Sequence, residues 1–111
     1  GLRFMKKYLV GLILISALNI PLLAEIIFDV RTLEEYENGH LKDSLNIEWQ
    51  LIDSIQNTVP KDEKLYLYCR SGNRSGKATK MLISLGYTDV TNLGSIESAS
   101  DYLGIEIVKE N

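Results

Sequence analysis

A chain of 111 residues, 45% of them apolar, is enough for one small folded domain and too apolar to be disordered throughout. Two prolines and eight glycines leave no room for a low-complexity linker. From residue 25 onward, nine Lys and Arg face fifteen Asp and Glu, a formal −6 that argues against nucleic acid or an anionic membrane as partner.

In chain order, Met5 reads as the initiator, with Gly1 to Phe4 as extra residues ahead of it. Lys6 and Lys7 precede an apolar stretch from Leu9 to Leu18, and Ala24 stands just before Glu25. A basic start, a short apolar core and a small residue at the end spell a secretory signal peptide over residues 1–24. The uncharged run from Tyr8 to Ala24 is at the lower limit of the ~17–25 residues of a spanning helix, and Asn19 and Pro21 interrupt it. Cleavage is therefore expected, with an uncleaved anchor as the competing reading. It would release residues 25–111 into the periplasm or another exported location, with no stable membrane association. The sequence also admits a homodimer.

Glu25 to Val30 is a short apolar run with β-branched residues and reads as a buried strand. Thr32-Leu33-Glu34-Glu35 fits a capping box, so a helix of about two turns should follow and stop near Asn38-Gly39. Leu45-Asn46-Ile47 is a second strand; Leu51, Ile52 and Ile55 recur at helical spacing until Pro60 turns the chain. Leu65 to Tyr68 is a strand that runs directly into Cys69. Ala78, Met81, Leu82 and Leu85 mark the core face of a helix stopping at Gly86. Asp89 to Leu93 is the next strand, and Ile96 to Leu103 a last short helix. Strands alternating with helices give an α/β domain, a central parallel sheet with helices on both faces, whose ligands bind at the carboxyl ends of the strands.

Cys69 stands at such an end, and it is the only cysteine, so it cannot form an internal disulfide. Cys69-Arg70-Ser71-Gly72-Asn73-Arg74-Ser75 joins strand to helix through a glycine-containing turn. Such a turn gathers backbone N–H groups into a concavity, and the helix start adds partial positive charge. Both favour an anion, and a thiolate is one, so Cys69 should be a ready nucleophile. Arg70, Arg74, Lys77 and Lys80 make this stretch locally basic within an acidic domain, suited to a negatively charged substrate. Arg70 and Arg74 are candidates for holding that anion, with loop-bracing ion pairs as their alternative role. Lys77 reads as a solvated helix residue. Ser71 and Ser75 are candidate donors or helix caps. His40, the only histidine, has no second ligand type arranged near it, so no metal and no cofactor is expected.

The loop resembles the C-R-x-G-x-R active-site loop of single-domain rhodaneses, the thiosulfate sulfurtransferases. Asp29-Val30-Arg31 is similar to that family's D-V-R after its first strand. Tyr36 to Leu41 followed by Ser44 to Ile47 resembles its aromatic-x3-H-[LIV] signature and the strand after it. Gly86-Tyr87 and Val90 to Gly94 resemble its ending, and the periplasmic phage-shock type is the nearest subgroup. The pattern departs in three places: Lys42-Asp43 stands for Pro-Gly, Ser95 for a second glycine, and no tryptophan follows.

The resemblance implies a rhodanese domain whose Cys69 takes the sulfane sulfur of thiosulfate, or of another anionic donor, as a persulfide. It implies cyanide or a thiol as acceptor, and donors from residues 70–75 around the sulfur. It also implies supporting roles for Asp29, Arg31 and His40. The competing reading is a non-catalytic persulfide carrier or partner-binding module. Phosphatases and arsenate reductases of related fold use C-x5-R, whereas Arg74 follows Cys69 by C-x4-R. Zinc or C-x-x-C redox chemistry needs a further cysteine.

Overall fold

The computed structural model describes residues 25–109; the signal-peptide reading of residues 1–24 lies outside them. Among the described residues no helix is long and apolar enough to cross a membrane.

Strand β1 (Glu25–Asp29) leads to helix α1 (Leu33–Glu37) and two short strands, β2 (His40–Leu41) and β3 (Leu45–Asn46). A 310 helix (Trp49–Asn57) then returns the chain to β4 (Lys64–Cys69). Helix α2 (Asn73–Ser84), strand β5 (Val90–Ser95), helix α3 (Ile96–Leu103) and strand β6 (Ile107–Val108) complete the order. The main sheet is parallel, in the order β3-β1-β4-β5. The alternating α/β reading of the sequence is therefore the architecture found.

β4 is central and buried on both faces, as parallel strands are. Leu65, Leu67 and Cys69 point to one side, where they pack with Phe28, Ile52, Ala78 and Leu82. Tyr66 and Tyr68 point to the other, joining Ile27, Leu41, Leu93 and Ile96. The 310 helix and α2 thus cover one face, and α3 with β2 the opposite one.

Local chemistry explains the element ends. Glu35 N–H donates to Thr32 Oγ1 at 3.2 Å and Thr32 N–H to Glu35 Oε1 at 3.0 Å, the reciprocal capping box. At the end of α2, Gly86 has φ 99°. There Gly86 N–H donates to Ile83 and Tyr87 N–H to Leu82, the paired bonds of a Schellman cap.

Two expectations are refined. The apolar spacing at 51, 52 and 55 belongs to a 310 rather than an α-helix: its threefold repeat buries Ile52 and Ile55 together and leaves Leu51 59% exposed. The tail, which the sequence left without a role, supplies β6, antiparallel to β2 through Leu41↔Ile107 and His40↔Val108.

Candidate functional site

The site lies where β1 and β4 end side by side. Cys69 is fully buried, and its sulfur faces back into the loop that follows it. Gly72 N–H reaches Cys69 Sγ at 3.0 Å, Ser75 N–H at 3.4 Å and the Ser75 hydroxyl at 3.3 Å. Burial pushes the Cys69 thiol up. Hydrogen bonds from the Ser75 hydroxyl and from the N–H groups of Ser75, Ser71 and Gly72 outweigh it and leave the thiol below its ordinary 9.0. Gly72 is the residue that permits this turn. Its φ of 97° suits glycine, and a Cβ there would lie 3.2 Å from Gly94 Cα.

The basic residues divide. Arg74 lays both terminal nitrogens on Glu35, at 2.8 and 2.9 Å, and so ties the start of α2 to α1. The Arg74 guanidinium holds the Glu35 carboxyl down at about 2, with burial opposing and the Thr32 N–H and hydroxyl assisting. Arg70 is exposed and, among the described residues, has no carboxylate partner. It lines an open cleft of about 350 Å³ together with Arg31, Glu35, Gly39, Ile96 and Glu97. Lys77 sits 5.0 Å from the centre of the Trp49 ring, against an aromatic face rather than wholly in solvent.

Asp29 and Arg31 form a buried bidentate pair at the end of β1, and Arg31 Nη2 also donates to the Gly39 carbonyl at 2.6 Å. This pins the end of α1 against the carboxyl end of the sheet. His40 is buried, stacked on Tyr36 at 3.7 Å, with Nδ1 2.7 Å from the Tyr36 carbonyl. Ser71 on the loop and Asn73 at the start of α2 are exposed. The structure therefore gathers Cys69, Gly72 and Ser75 at the sulfur, sets Arg70 at the cleft, and puts Asp29, Arg31 and His40 in the supporting frame.

Sequence reasoning missed three contributors. Glu35 doubles as capping residue and partner of Arg74. Tyr68, buried beneath the site, accepts Leu41 N–H at 3.0 Å and bonds Ser44 Oγ at 3.1 Å. Asn92 accepts the Ser75 hydroxyl at 2.7 Å. Only Glu35 carried a signal, through its capping box.

The model of the rhodanese-like domain family matches residues 14–100, most of the chain. The chain belongs to the rhodanese family. Thiosulfate sulfurtransferase PspE of Escherichia coli is 35% identical over 94 residues, covering 83% of this chain and 89% of that protein. An adenylyltransferase and sulfurtransferase of Candida albicans is 34% identical over 93 residues, but this chain spans only 21% of its length. A solved rhodanese with anions from E. coli superposes with a TM-score of 0.68 at 29% identity, over 78% of this chain and all of that one. A solved Helicobacter pylori protein does so with a TM-score of 0.62 at 33% identity, over 82% and 84%.

The departures from the rhodanese pattern have local solutions. Asp43, at the place of the usual glycine, keeps a left-handed backbone with φ 68°, which aspartate tolerates better than most residues. Ser95, in place of the second glycine, caps α3: its hydroxyl accepts Ser98 N–H at 3.0 Å.

Proposed function

We propose that this rhodanese is a thiosulfate sulfurtransferase acting outside the cytoplasm, with Cys69 as the sulfur carrier and cyanide or a thiol as acceptor. The observation that carries this reading is the ring of donors on Cys69 Sγ: two backbone N–H groups and one hydroxyl, all within 3.4 Å. Such preorganised donors lower the energy of sulfur-centred negative charge without later rearrangement.

In the first half-reaction the Cys69 thiolate attacks the outer sulfur of thiosulfate. The S–S bond of the donor breaks, sulfite leaves with the electron pair, and Cys69 carries a persulfide. In the second, cyanide or a thiolate attacks the outer persulfide sulfur, and Cys69 thiolate is regenerated. Both steps resemble thiol–disulfide exchange and need no general base. Arg70, exposed at the cleft and unpaired among the described residues, is the side chain that meets the departing sulfonate. Arg74 acts at one remove, through its bridge to Glu35.

Likeness over nearly the whole length of PspE supports thiosulfate as donor. The engagement of Arg74 by Glu35 weighs against a phosphatase reading, in which that arginine would fold over the bound oxyanion. Purified protein should convert thiosulfate and cyanide to sulfite and thiocyanate and should not hydrolyse an aryl phosphate. Cys69-dependent phosphate release without thiocyanate would reverse the assignment. Arg70→Ala should raise KM for thiosulfate about tenfold, the loss of one charge-assisted contact.

A further inference from the structure

Strand β5 carries one extra residue beside the site: Leu67 of β4 faces Asn92, but Cys69 faces Ser95. Asn92 itself precedes the shift: in register with Leu67 as Val90 is with Leu65, it lies on the α2-facing side of β5. Its amide oxygen accepts the Ser75 hydroxyl at 2.7 Å and Gly94 N–H at 3.0 Å, while its amide nitrogen donates to the Gly72 carbonyl at 3.2 Å. Gly72 and Ser75 are the residues whose N–H groups reach the Cys69 sulfur. One amide therefore holds both. The seam is tight: a Cβ on Gly76 would lie 3.4 Å from Asn92 Nδ2, and one on Gly72 would lie 3.2 Å from Gly94 Cα.

The Ser75 hydroxyl has one proton and two acceptors in reach, Asn92 Oδ1 at 2.7 Å and Cys69 Sγ at 3.3 Å. Neutral sulfur is a weak acceptor, so the amide oxygen then takes the proton. A thiolate is a charge-assisted acceptor and draws it away. Only rotation about the Cβ–Oγ bond is needed, and no proton leaves the serine. When the hydroxyl turns, Asn92 Oδ1 keeps Gly94 N–H, so no acceptor is orphaned. In a persulfide the charge sits on the outer sulfur, and the Ser75 proton returns to Asn92.

We propose that Asn92 is a positioning residue for sulfur transfer: it fixes the Gly72 and Ser75 donors around Cys69 and holds the Ser75 proton whenever the cysteine sulfur is uncharged. The proposal rests on the sulfurtransferase reading, so its test uses a reaction of the thiol alone.

The rate of Cys69 alkylation by iodoacetamide, followed against pH, reports the ionised fraction of the thiol. Asn92→Ala should move the midpoint upward and cut the alkylation rate at neutral pH about tenfold, a free-energy change of about 1.4 kcal/mol. Asn92→Asp, nearly the same shape, should move it upward as well, because it sets a carboxylate beside the thiolate and loses the bond to Gly72. In the Ser75→Ala background the effect of Asn92→Ala should shrink, since part of it passes through that hydroxyl. If both Asn92 variants melt earlier but titrate as wild type does, Asn92 is merely structural and the proposal is wrong. Full additivity with Ser75→Ala would also overturn it. If wild type takes up no sulfur from thiosulfate while Asn92 variants still shift the midpoint, the sulfurtransferase reading fails and the positioning role stands.

Discussion

Burial alone would keep the Cys69 thiol protonated, so its reactivity depends on the donors counted around it. With Ser75→Ala, one of those donors goes, and the thiol should rise toward the value burial dictates. The pH–rate profile for thiosulfate should then shift to higher pH, with a loss of about tenfold at neutral pH. An unchanged profile would mean that the backbone N–H groups suffice. Cys69→Ser should abolish transfer while leaving the fold intact, because the hydroxyl fits the same cavity but does not ionise at neutral pH; a circular dichroism spectrum checks the second half. At this scale Cys69, Gly72 and Ser75 were legible as a group, since a glycine turn at a strand end gathers anion-favouring N–H groups around a thiol. Asn92 was not. It shares the α2-facing side of β5 with Val90, but nothing in Val90-Thr91-Asn92-Leu93 marks it as the side chain that reaches the Cys69 loop.

The elements meet at the loop through one ion pair of note. Glu35 on α1 and Arg74 on α2 are each 29% exposed, sheltered enough to contribute but still screened by solvent. Glu35 is depressed from its ordinary 4.5 to about 2, so its contribution is complete above 4.5 and is lost as pH falls toward 2. Glu35→Gln should therefore cost about 1 kcal/mol near neutral pH, read by urea unfolding, and the difference from wild type should vanish at the acid end. A constant difference across that range would assign the effect to side-chain packing rather than charge, since glutamine keeps the capping box. Gly72→Ala tests the turn itself. A left-handed alanine costs about 1–3 kcal/mol, and the methyl would press on Gly94, so both stability and thiol reactivity should fall. The capping box was readable because its two residues are neighbours in sequence. The Glu35–Arg74 bridge spans 39 positions and was readable only as an alternative role for the arginine.

Across the whole molecule, the alternation of strands and helices was visible in the apolar pattern, and a parallel sheet follows from it. The β2–β6 pair was not, because two-residue strands carry no periodicity and the tail is half polar. That pair lays Ile107 close to Gly39, whose carbonyl Arg31 holds, so the tail closes one wall of the cleft. Removing residues 105–111 should lower the melting temperature and weaken thiosulfate binding together. Loss of stability alone, with KM unchanged, would separate the tail from the site.

The central claim is that Cys69 carries the transferred sulfur, and intact-protein mass spectrometry after exposure to thiosulfate addresses it most directly. The wild-type chain should gain the mass of one sulfur atom and lose it again on addition of cyanide, while Cys69→Ser gains nothing. A wild-type mass unchanged by thiosulfate, with the thiol demonstrably reduced and reactive, would contradict the account.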